Sequence, residues 1–196
     1  MKKDLALILF LIIFLSTNLA EIGTELMKKA KKGDVKSQTK VARMYDLGKG
    51  VKEDKLKAVK WYTLAANKDY IPAILRLGDM YRLGDGVDKD YKKAFRYFKK
   101  ASQEGDVNAK LKLARLYYLG RGTEKDFTKA FNLYEIVSKN GNCKGTYYLG
   151  IMYYFGEGVN KDTEKAKTLL EKIINDPKAE SSVKKDTKRV LKSLEF

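Results

Sequence analysis

A seven-residue segment that recurs four times at a constant step of 36 residues constrains the fold of this chain more than any other feature. The copies read YDLGKGV from Tyr45, YRLGDGV from Tyr81, YYLGRGT from Tyr117 and YYFGEGV from Tyr153. A fixed period in this range is typical of a solenoid, in which each unit cannot bury its apolar face alone and stacks on its neighbours. The period therefore predicts a repeat protein.

Each repeat is predicted to contain two helices. The chain has only 2 prolines, and its apolar residues lack the alternation of β-strands, so helix is expected for nearly all of it. The first helix of a repeat, helix A, ends near the tyrosine, and the second, helix B, begins after the next aspartate. The sequence predicts an all-α fold: an α/α solenoid, or superhelix, of helix-turn-helix repeats with period 36.

Glycines and aspartates that recur in every repeat define the turn between helix A and helix B. The glycines suit a left-handed helix cap, and their fourfold recurrence without a preceding strand argues against a phosphate-binding loop. The aspartates are placed to cap helix B, which is expected to bury Trp61 and Tyr97. The columns are Gly48, Gly50, Gly84, Gly86, Gly120, Gly122, Gly156 and Gly158 for glycine, and Asp54, Asp90, Asp126 and Asp162 for aspartate.

The repeats are predicted to span residues 35–178, as units 35–70, 71–106, 107–142 and 143–178. Residues 21–34 are predicted to form an N-terminal capping helix, and residues 179–196 a C-terminal one. The C-terminal helix has Val183, Val190 and Leu191 on one face and lysines on the other, as expected of a cap that closes a solenoid core. Such a basic amphipathic helix could also lie on a membrane surface.

Residues 1–20 have the features of a secretory signal peptide. Lys2 and Lys3 precede an apolar run from Leu5 to Leu15, which is shorter than the roughly 20 residues that span a bilayer. Cleavage is expected after Ala20, which predicts a periplasmic or secreted protein with no transmembrane span in its mature form. An uncleaved N-terminal anchor is the alternative, because Asn18 stands where signal peptides prefer a small residue.

The formal net charge of +16 raises the question of nucleic-acid binding. The lysines and arginines are spread along every repeat with Asp and Glu between them, as on solvated helix faces. Together with the export signal, this distribution argues against nucleic acid as the partner. The positive charge leaves binding to an anionic surface of the cell envelope as an alternative.

The residue content also limits the chemistry. The chain has no histidine, so it lacks the commonest general base and metal ligand, and neither a cofactor nor a metal is expected. Its single cysteine, Cys143, cannot form an internal disulfide. The equivalent positions Val35, Ile71 and Val107 are apolar, so Cys143 is predicted to be a half-buried structural thiol.

The repeat pattern resembles that of the Sel1-like repeat family, relatives of the tetratricopeptide repeat. The stretches YDLGKGVKEDKLKAVKWYTLAA and YRLGDGVDKDYKKAFRYFKKAS carry the whole pattern, and Thr123 departs from the usual valine. The resemblance implies antiparallel helix pairs stacked in a right-handed superhelix and a role as an adaptor in protein complexes, in bacteria often exported. A cysteine-rich branch of the family is linked to β-lactam binding and hydrolysis, but this chain lacks its paired cysteines.

In stacked helix pairs the A helices line the concave surface, and the positions not used for packing face it. Exposed aromatic residues beside arginines have the composition of protein interfaces. The predicted partner-binding groove comprises Lys40, Arg43, Arg76, Asp79, Arg82, Lys112, Arg115, Tyr118, Tyr148, Ile151 and Tyr154. Asp46 is the first-repeat equivalent of Arg82, Tyr118 and Tyr154.

Three functions follow from these features. The first is an exported protein–protein interaction scaffold that binds its partner in the groove of the A helices, without catalysis. The second is an enzyme acting on cell-wall or β-lactam substrates, as in the cysteine-rich relatives. The third is a binder of an anionic polymer, such as lipopolysaccharide or nucleic acid, held by charge.

Overall fold

A computed structural model describes residues 23–194, which are in helices and connecting turns and contain no β-strand. The predicted signal peptide, residues 1–20, lies outside the described residues. Within the described residues, helix α1 covers residues 23–31. The helices that follow are α2 (Val35–Leu47), α3 (Lys55–Ala66), α4 (Ile71–Leu83), α5 (Tyr91–Gln103), α6 (Val107–Leu119), α7 (Phe127–Lys139), α8 (Cys143–Phe155), α9 (Thr163–Asn175) and α10 (Ser181–Ser193).

The even-numbered helices α2 to α8 are the A helices, and each begins 36 residues after the one before it. The chain divides into two compact units. The first consists of residues 23–80 and 85–88 of the described part, and the second of residues 81–84 and 89–194. Within the first unit α2 packs on α3, and within the second α6 packs on α7 and α8 packs on α9.

The predicted aspartate caps are confirmed at every B helix. The side chains of Asp54, Asp90, Asp126 and Asp162 each accept a hydrogen bond from the backbone N–H three residues later. These bonds satisfy donors that the first turn of a helix leaves without an intrahelical partner, and the negative charge suits the positive end of the helix dipole. The aspartate column therefore fixes where helix B begins.

The glycine pairs close the turn in two different ways. Gly120 ends α6 in the left-handed conformation, with φ of 64°, and its N–H donates to the carbonyl of Leu116. Gly122 is also left-handed, and a Cβ there would overlap the carbonyl oxygen of Tyr91, at the start of the preceding B helix. The first glycine of a pair thus caps helix A, and the second permits a close backbone approach.

Small residues on the A helices allow neighbouring helices to come close. A Cβ on Gly145 of α8 would lie 2.5 Å from the side chain of Val137 in α7. One on Gly150 would lie 3.0 Å from Leu170 in α9. The space beside these glycines is filled by Val137 and Leu170, which are both fully buried.

The B helices do not bury the aromatic residues that the sequence indicated. Trp61 and Tyr97 are half-buried, whereas Tyr62 and Phe98, the next residues, are at most 3% exposed. The reason is the helix period: Ala58, Tyr62 and Ala65 lie four and three residues apart, on the one face of α3 that is buried. The prediction was one residue out of register.

The C-terminal helix α10 packs on α8 and α9. Val183 lies in a cluster with Leu170 and Ile173, against which Val190 and Leu191 also pack. In the part of the chain that the structure describes, no helix is both long and apolar enough to cross a membrane.

Candidate partner-binding face

The predicted groove positions lie on the A helices of both units. In the first unit Lys40 and Arg43 of α2 are exposed, and Asp79 of α4 is half-buried. Arg76, also on α4, has its side chain 28% exposed and takes part in an ion-pair cluster. The predicted cations of this unit therefore divide into two exposed residues and one that is packed.

The cluster of the first unit consists of Asp46, Lys55, Arg76 and Asp85. The Nε and Nη2 of Arg76 donate to the two carboxylate oxygens of Asp46, at 2.7 Å each, and Nη2 also donates to Asp85 at 2.6 Å. The Nζ of Lys55 donates to Asp46 at 2.8 Å and lies 3.5 Å from Asp85. Two acids and two bases thus pair with one another.

Asp46 is buried, with 3% of its surface exposed. Burial alone would raise the pKa of its carboxyl, but the hydrogen bonds from Arg76 and Lys55 outweigh burial and lower the pKa to about 2. The hydroxyl of Tyr62 donates to the same carboxylate at 3.3 Å, and burial followed by the charge of Asp46 raises the pKa of Tyr62 to about 12. The Asp46 side chain is consequently part of the core.

In the second unit, aromatic residues occupy the positions that are 72 residues later. Tyr118 replaces Asp46, Phe127 replaces Lys55 and Tyr148 replaces Arg76, whereas Glu157 keeps the acidic character of Asp85. Tyr118 packs edge-on against Phe127, with 5.3 Å between the ring centroids, and its hydroxyl donates to Glu157 at 2.7 Å. Equivalent positions of the repeat therefore hold an ion-pair cluster in the first unit and mainly aromatic residues in the second.

This exchange leaves one buried hydroxyl without an acceptor. Tyr134, the counterpart of Tyr62, is fully buried and stacks on Tyr148 with ring centroids 4.9 Å apart. Its Oη has no hydrogen-bond partner, and burial raises its pKa far above the ordinary value. The acceptor that Tyr62 finds in Asp46 is absent here because position 118 is a tyrosine.

The remaining predicted residues of the second unit differ in exposure. Arg115 of α6 is exposed, whereas Arg82, Lys112, Ile151 and Tyr154 are half-buried. The Nζ of Lys112 lies 5.6 Å from the ring centroid of Phe98, and the hydroxyl of Tyr154 donates to the carbonyl of Leu194 at 3.0 Å. The structure thus gives Tyr118, Tyr148 and Tyr154 packing contacts and leaves Arg115 on the outer face of its helix.

A further set of exposed residues at the ends of the A helices was missed at the sequence level. They are large, apolar and spaced by the repeat period: Leu47, Leu83, Leu119 and Phe155, with 44%, 55%, 37% and 57% of their surfaces exposed. They lie seven residues after Lys40, Arg76, Lys112 and Tyr148, and four residues after Arg43, Asp79, Arg115 and Ile151, which is the spacing of one helix face. The same spacing could have identified these residues as part of the exposed face, whereas the position of Asp46 is buried.

The thiol of Cys143 is half-buried, as predicted. Its Sγ donates to the carboxylate of Asp176 at 3.3 Å, and burial, followed by this carboxylate, raises the pKa of the thiol. A thiol with a raised pKa is a poor nucleophile at neutral pH. Among residues 23–194, no three Cys, Asp or Glu side chains come together as a metal site would require.

Comparison with known proteins gives a family match. The model of the Sel1 repeat matches residues 35–70, 71–106, 107–142 and 144–175. A search of curated proteins gives no match.

Two solved structures are similar to this chain. One is c5321, a protective antigen present in uropathogenic Escherichia coli strains and displaying an SLR fold, which is 35% identical with a TM-score of 0.71 over 74% of this chain and 31% of that chain. The other is a Sel1 repeat protein from Oxalobacter formigenes, which is 26% identical with a TM-score of 0.73 over 81% of this chain and 65% of that chain. The chain thus spans about a third of the length of the first protein and just under two thirds of the second.

Proposed function

The chain belongs to the Sel1 repeat family, and on this premise we propose that it is an exported scaffold that binds a partner protein through the exposed face of its A helices. Proteins with Sel1 repeats generally act as non-catalytic scaffolds for protein interactions. The solenoid architecture suits this role, because every repeat presents the same helix face at a regular interval.

The observation that carries the proposal is the repeated exposed apolar residue at the end of each A helix, represented by Leu119 and Phe155. Exposed apolar residues that occur singly need no explanation, but a set at one position of consecutive repeats is typical of an interaction surface. On α6 this residue lies one turn after the exposed Arg115. An arginine beside large apolar side chains has the composition of an interface anchor.

Site-specific photocrosslinking in living cells tests the proposal. A photoreactive amino acid at position 115 lies on the proposed face, and the same amino acid at Asn132, an exposed position of helix B α7, is the matched control. The expected result is one polypeptide captured from position 115 and not from 132, which then binds the purified chain. Equal capture from the two positions, or binding that persists in an Arg115→Glu variant, would contradict the proposal.

Export is supported by the basic segment and apolar run of residues 1–15. Cell fractionation with intact-mass measurement tests it, because cleavage after Ala20 leaves Glu21 as the first residue. A full-length mass in the cytoplasmic fraction would refute export. A full-length mass in the membrane fraction would instead favour an uncleaved anchor.

The net charge of +16 supports a second candidate, the binding of an anionic polymer. The two functions differ in their response to salt and to substitution. Polymer binding held by charge weakens steeply with salt and is indifferent to the loss of a single apolar side chain, whereas scaffold binding weakens less with salt and falls when an apolar side chain of the face is lost. Turnover of a chromogenic β-lactam would favour the enzymatic alternative, and the scaffold proposal expects none.

A further inference from the structure

The C-terminal ends of α6 and α8 present Leu119 and Phe155 to solvent, and a hydrogen bond brings these two ends side by side. Tyr118, which precedes Leu119, donates to the carboxylate of Glu157, two residues after Phe155, at 2.7 Å. This contact joins the end of α6 to the turn that follows α8. The two exposed apolar side chains adjoin the residues of this bond and lie at the same edge of the second unit.

A lysine stands beside each of these apolar residues. The glycines that cap α6 and α8 pack against the backbone of Lys125 and Lys161, such that a Cβ on Gly120 or Gly156 would lie 3.2 Å from the Cβ of the lysine. The two lysines are exposed. Their Nζ atoms lie 5.3 Å from the ring centroids of Phe127 and Tyr154, so each is held over an aromatic ring.

The helices that form this edge carry positive charge only. Helices α6 and α8, VNAKLKLARLYYL and CKGTYYLGIMYYF, contain lysine and arginine but no aspartate or glutamate. The carboxylate of Glu157 lies at the same place and accepts the hydrogen bond of Tyr118. In the first unit the equivalent of the lysine is an acid, Glu53, which packs beside Gly48.

We propose that the α6–α8 edge, formed by Arg115, Leu119, Lys125, Phe155 and Lys161, binds an acidic segment of a partner protein that carries one large apolar side chain. The apolar side chain lies between Leu119 and Phe155 and removes both from water. Aspartates or glutamates on either side of it pair with the two lysines and with Arg115, which sets the position of the segment along the edge. This inference rests on the proposed scaffold function and names the chemistry of the partner.

Selection of random twelve-residue peptides displayed on phage against the purified full-length chain tests the proposal. The enriched peptides are expected to share one large apolar residue flanked by at least two acidic ones. The affinity of a synthetic copy is expected to fall about tenfold or more in a Phe155→Ser variant, because apolar interface anchors carry much of the binding energy. Fluorescence anisotropy of the labelled peptide measures this loss.

Two controls separate the edge from general stickiness. Leu56 of α3 is 66% exposed but lies outside the edge, so a Leu56→Ser variant is expected to bind the peptide with unchanged affinity. A Lys125→Glu/Lys161→Glu variant is expected to lose the acidic peptide and to bind a copy in which lysines replace the acidic residues. Because all substituted residues are exposed, the circular dichroism of each variant should match that of the original chain.

Three results would overturn the inference: enriched peptides without acidic residues, equal binding of polyglutamate that has no apolar residue, or a dimer in sedimentation equilibrium that Phe155→Ser dissolves. The second result identifies binding by charge alone, and the third identifies a second copy of the chain as the occupant. If the protein captured from position 115 binds the Phe155→Ser variant unchanged, this inference fails while the scaffold function stands. If nothing is captured there yet acidic peptides bind the edge, the scaffold function fails instead.

Discussion

Arg76 forms a two-pronged ion pair with Asp46, which lies 30 residues earlier in the chain, with both N···O distances at 2.7 Å. Asp46 is at the end of α2 and Arg76 is in α4, so the pair joins the A helices of consecutive repeats within the first unit. Lys55 and Asp85 complete the cluster. A cation that the sequence pattern assigned to partner binding is thus engaged in holding two repeats together.

Replacement of Arg76 by alanine should destabilise the first unit. The change removes the strongest partner of a buried carboxylate, and breaking a buried ion pair costs about 3–5 kcal/mol. Since Lys55 still pairs with Asp46, we expect a loss at the lower end, about 3 kcal/mol. Urea unfolding followed by circular dichroism measures it, with Arg43→Ala as the exposed control, for which we expect a change within about 0.5 kcal/mol. Equal effects of the two substitutions would show that the pair is not structural.

The same pair predicts a pH dependence of stability. The pKa of Asp46 is lowered from 3.8 to about 2 in the folded protein. The ionised carboxylate therefore stabilises the fold fully at pH values above 3.8, the pKa of the unfolded chain. This contribution, about 2 kcal/mol, is lost as the pH falls from about 4 to about 2. Other carboxylates titrate in this range, so the quantity to measure is the difference in unfolding free energy between the original chain and Asp46→Asn. We expect this difference to shrink towards pH 2, and a constant difference would contradict the assignment.

Tyr62 and Tyr134 occupy the same position of two repeats and should respond oppositely to the loss of a hydroxyl. Tyr62→Phe removes a hydrogen bond to Asp46, so we expect a loss of about 1 kcal/mol. Tyr134→Phe removes a buried hydroxyl that has no partner, and relief of its desolvation should raise the stability by about 1 kcal/mol. Thermal unfolding of the two variants checks this. A destabilised Tyr134→Phe variant would show that the hydroxyl has an acceptor.

The parts of the fold that depend on local chain geometry could be predicted from the sequence. Asp126 caps α7 and Gly120 ends α6 as expected, because an N-cap and a left-handed C-cap depend only on residues within one turn of the helix end. The repeat period then placed these features in all four repeats, and the Sel1 family match confirms the resemblance.

The packing between repeats could not be predicted in the same way. Position 46 holds an aspartate, an arginine and two tyrosines in the four repeats, so no residue type indicated whether it faces solvent. Asp46 is buried because Arg76 and Lys55 neutralise it, and these partners are distant in sequence. Leu119 and Phe155 were overlooked for the opposite reason, since apolar residues at a helix end are expected to be buried. Whether the eleven predicted groove residues bind a partner stays a prediction.

Gly122 and Gly105 offer a last test of why the glycines recur. Both have positive φ, 76° and 89°, but a Cβ would overlap the backbone of Tyr91 only at Gly122, and it would meet open space at Gly105. Gly105→Ala should therefore cost only the conformational penalty, about 1 kcal/mol. Gly122→Ala should cost more than about 2 kcal/mol, because the start of α5 must also move away. Urea unfolding compares the two variants, and equal losses would mean that backbone conformation alone, without the close approach of Tyr91, accounts for the glycine at position 122.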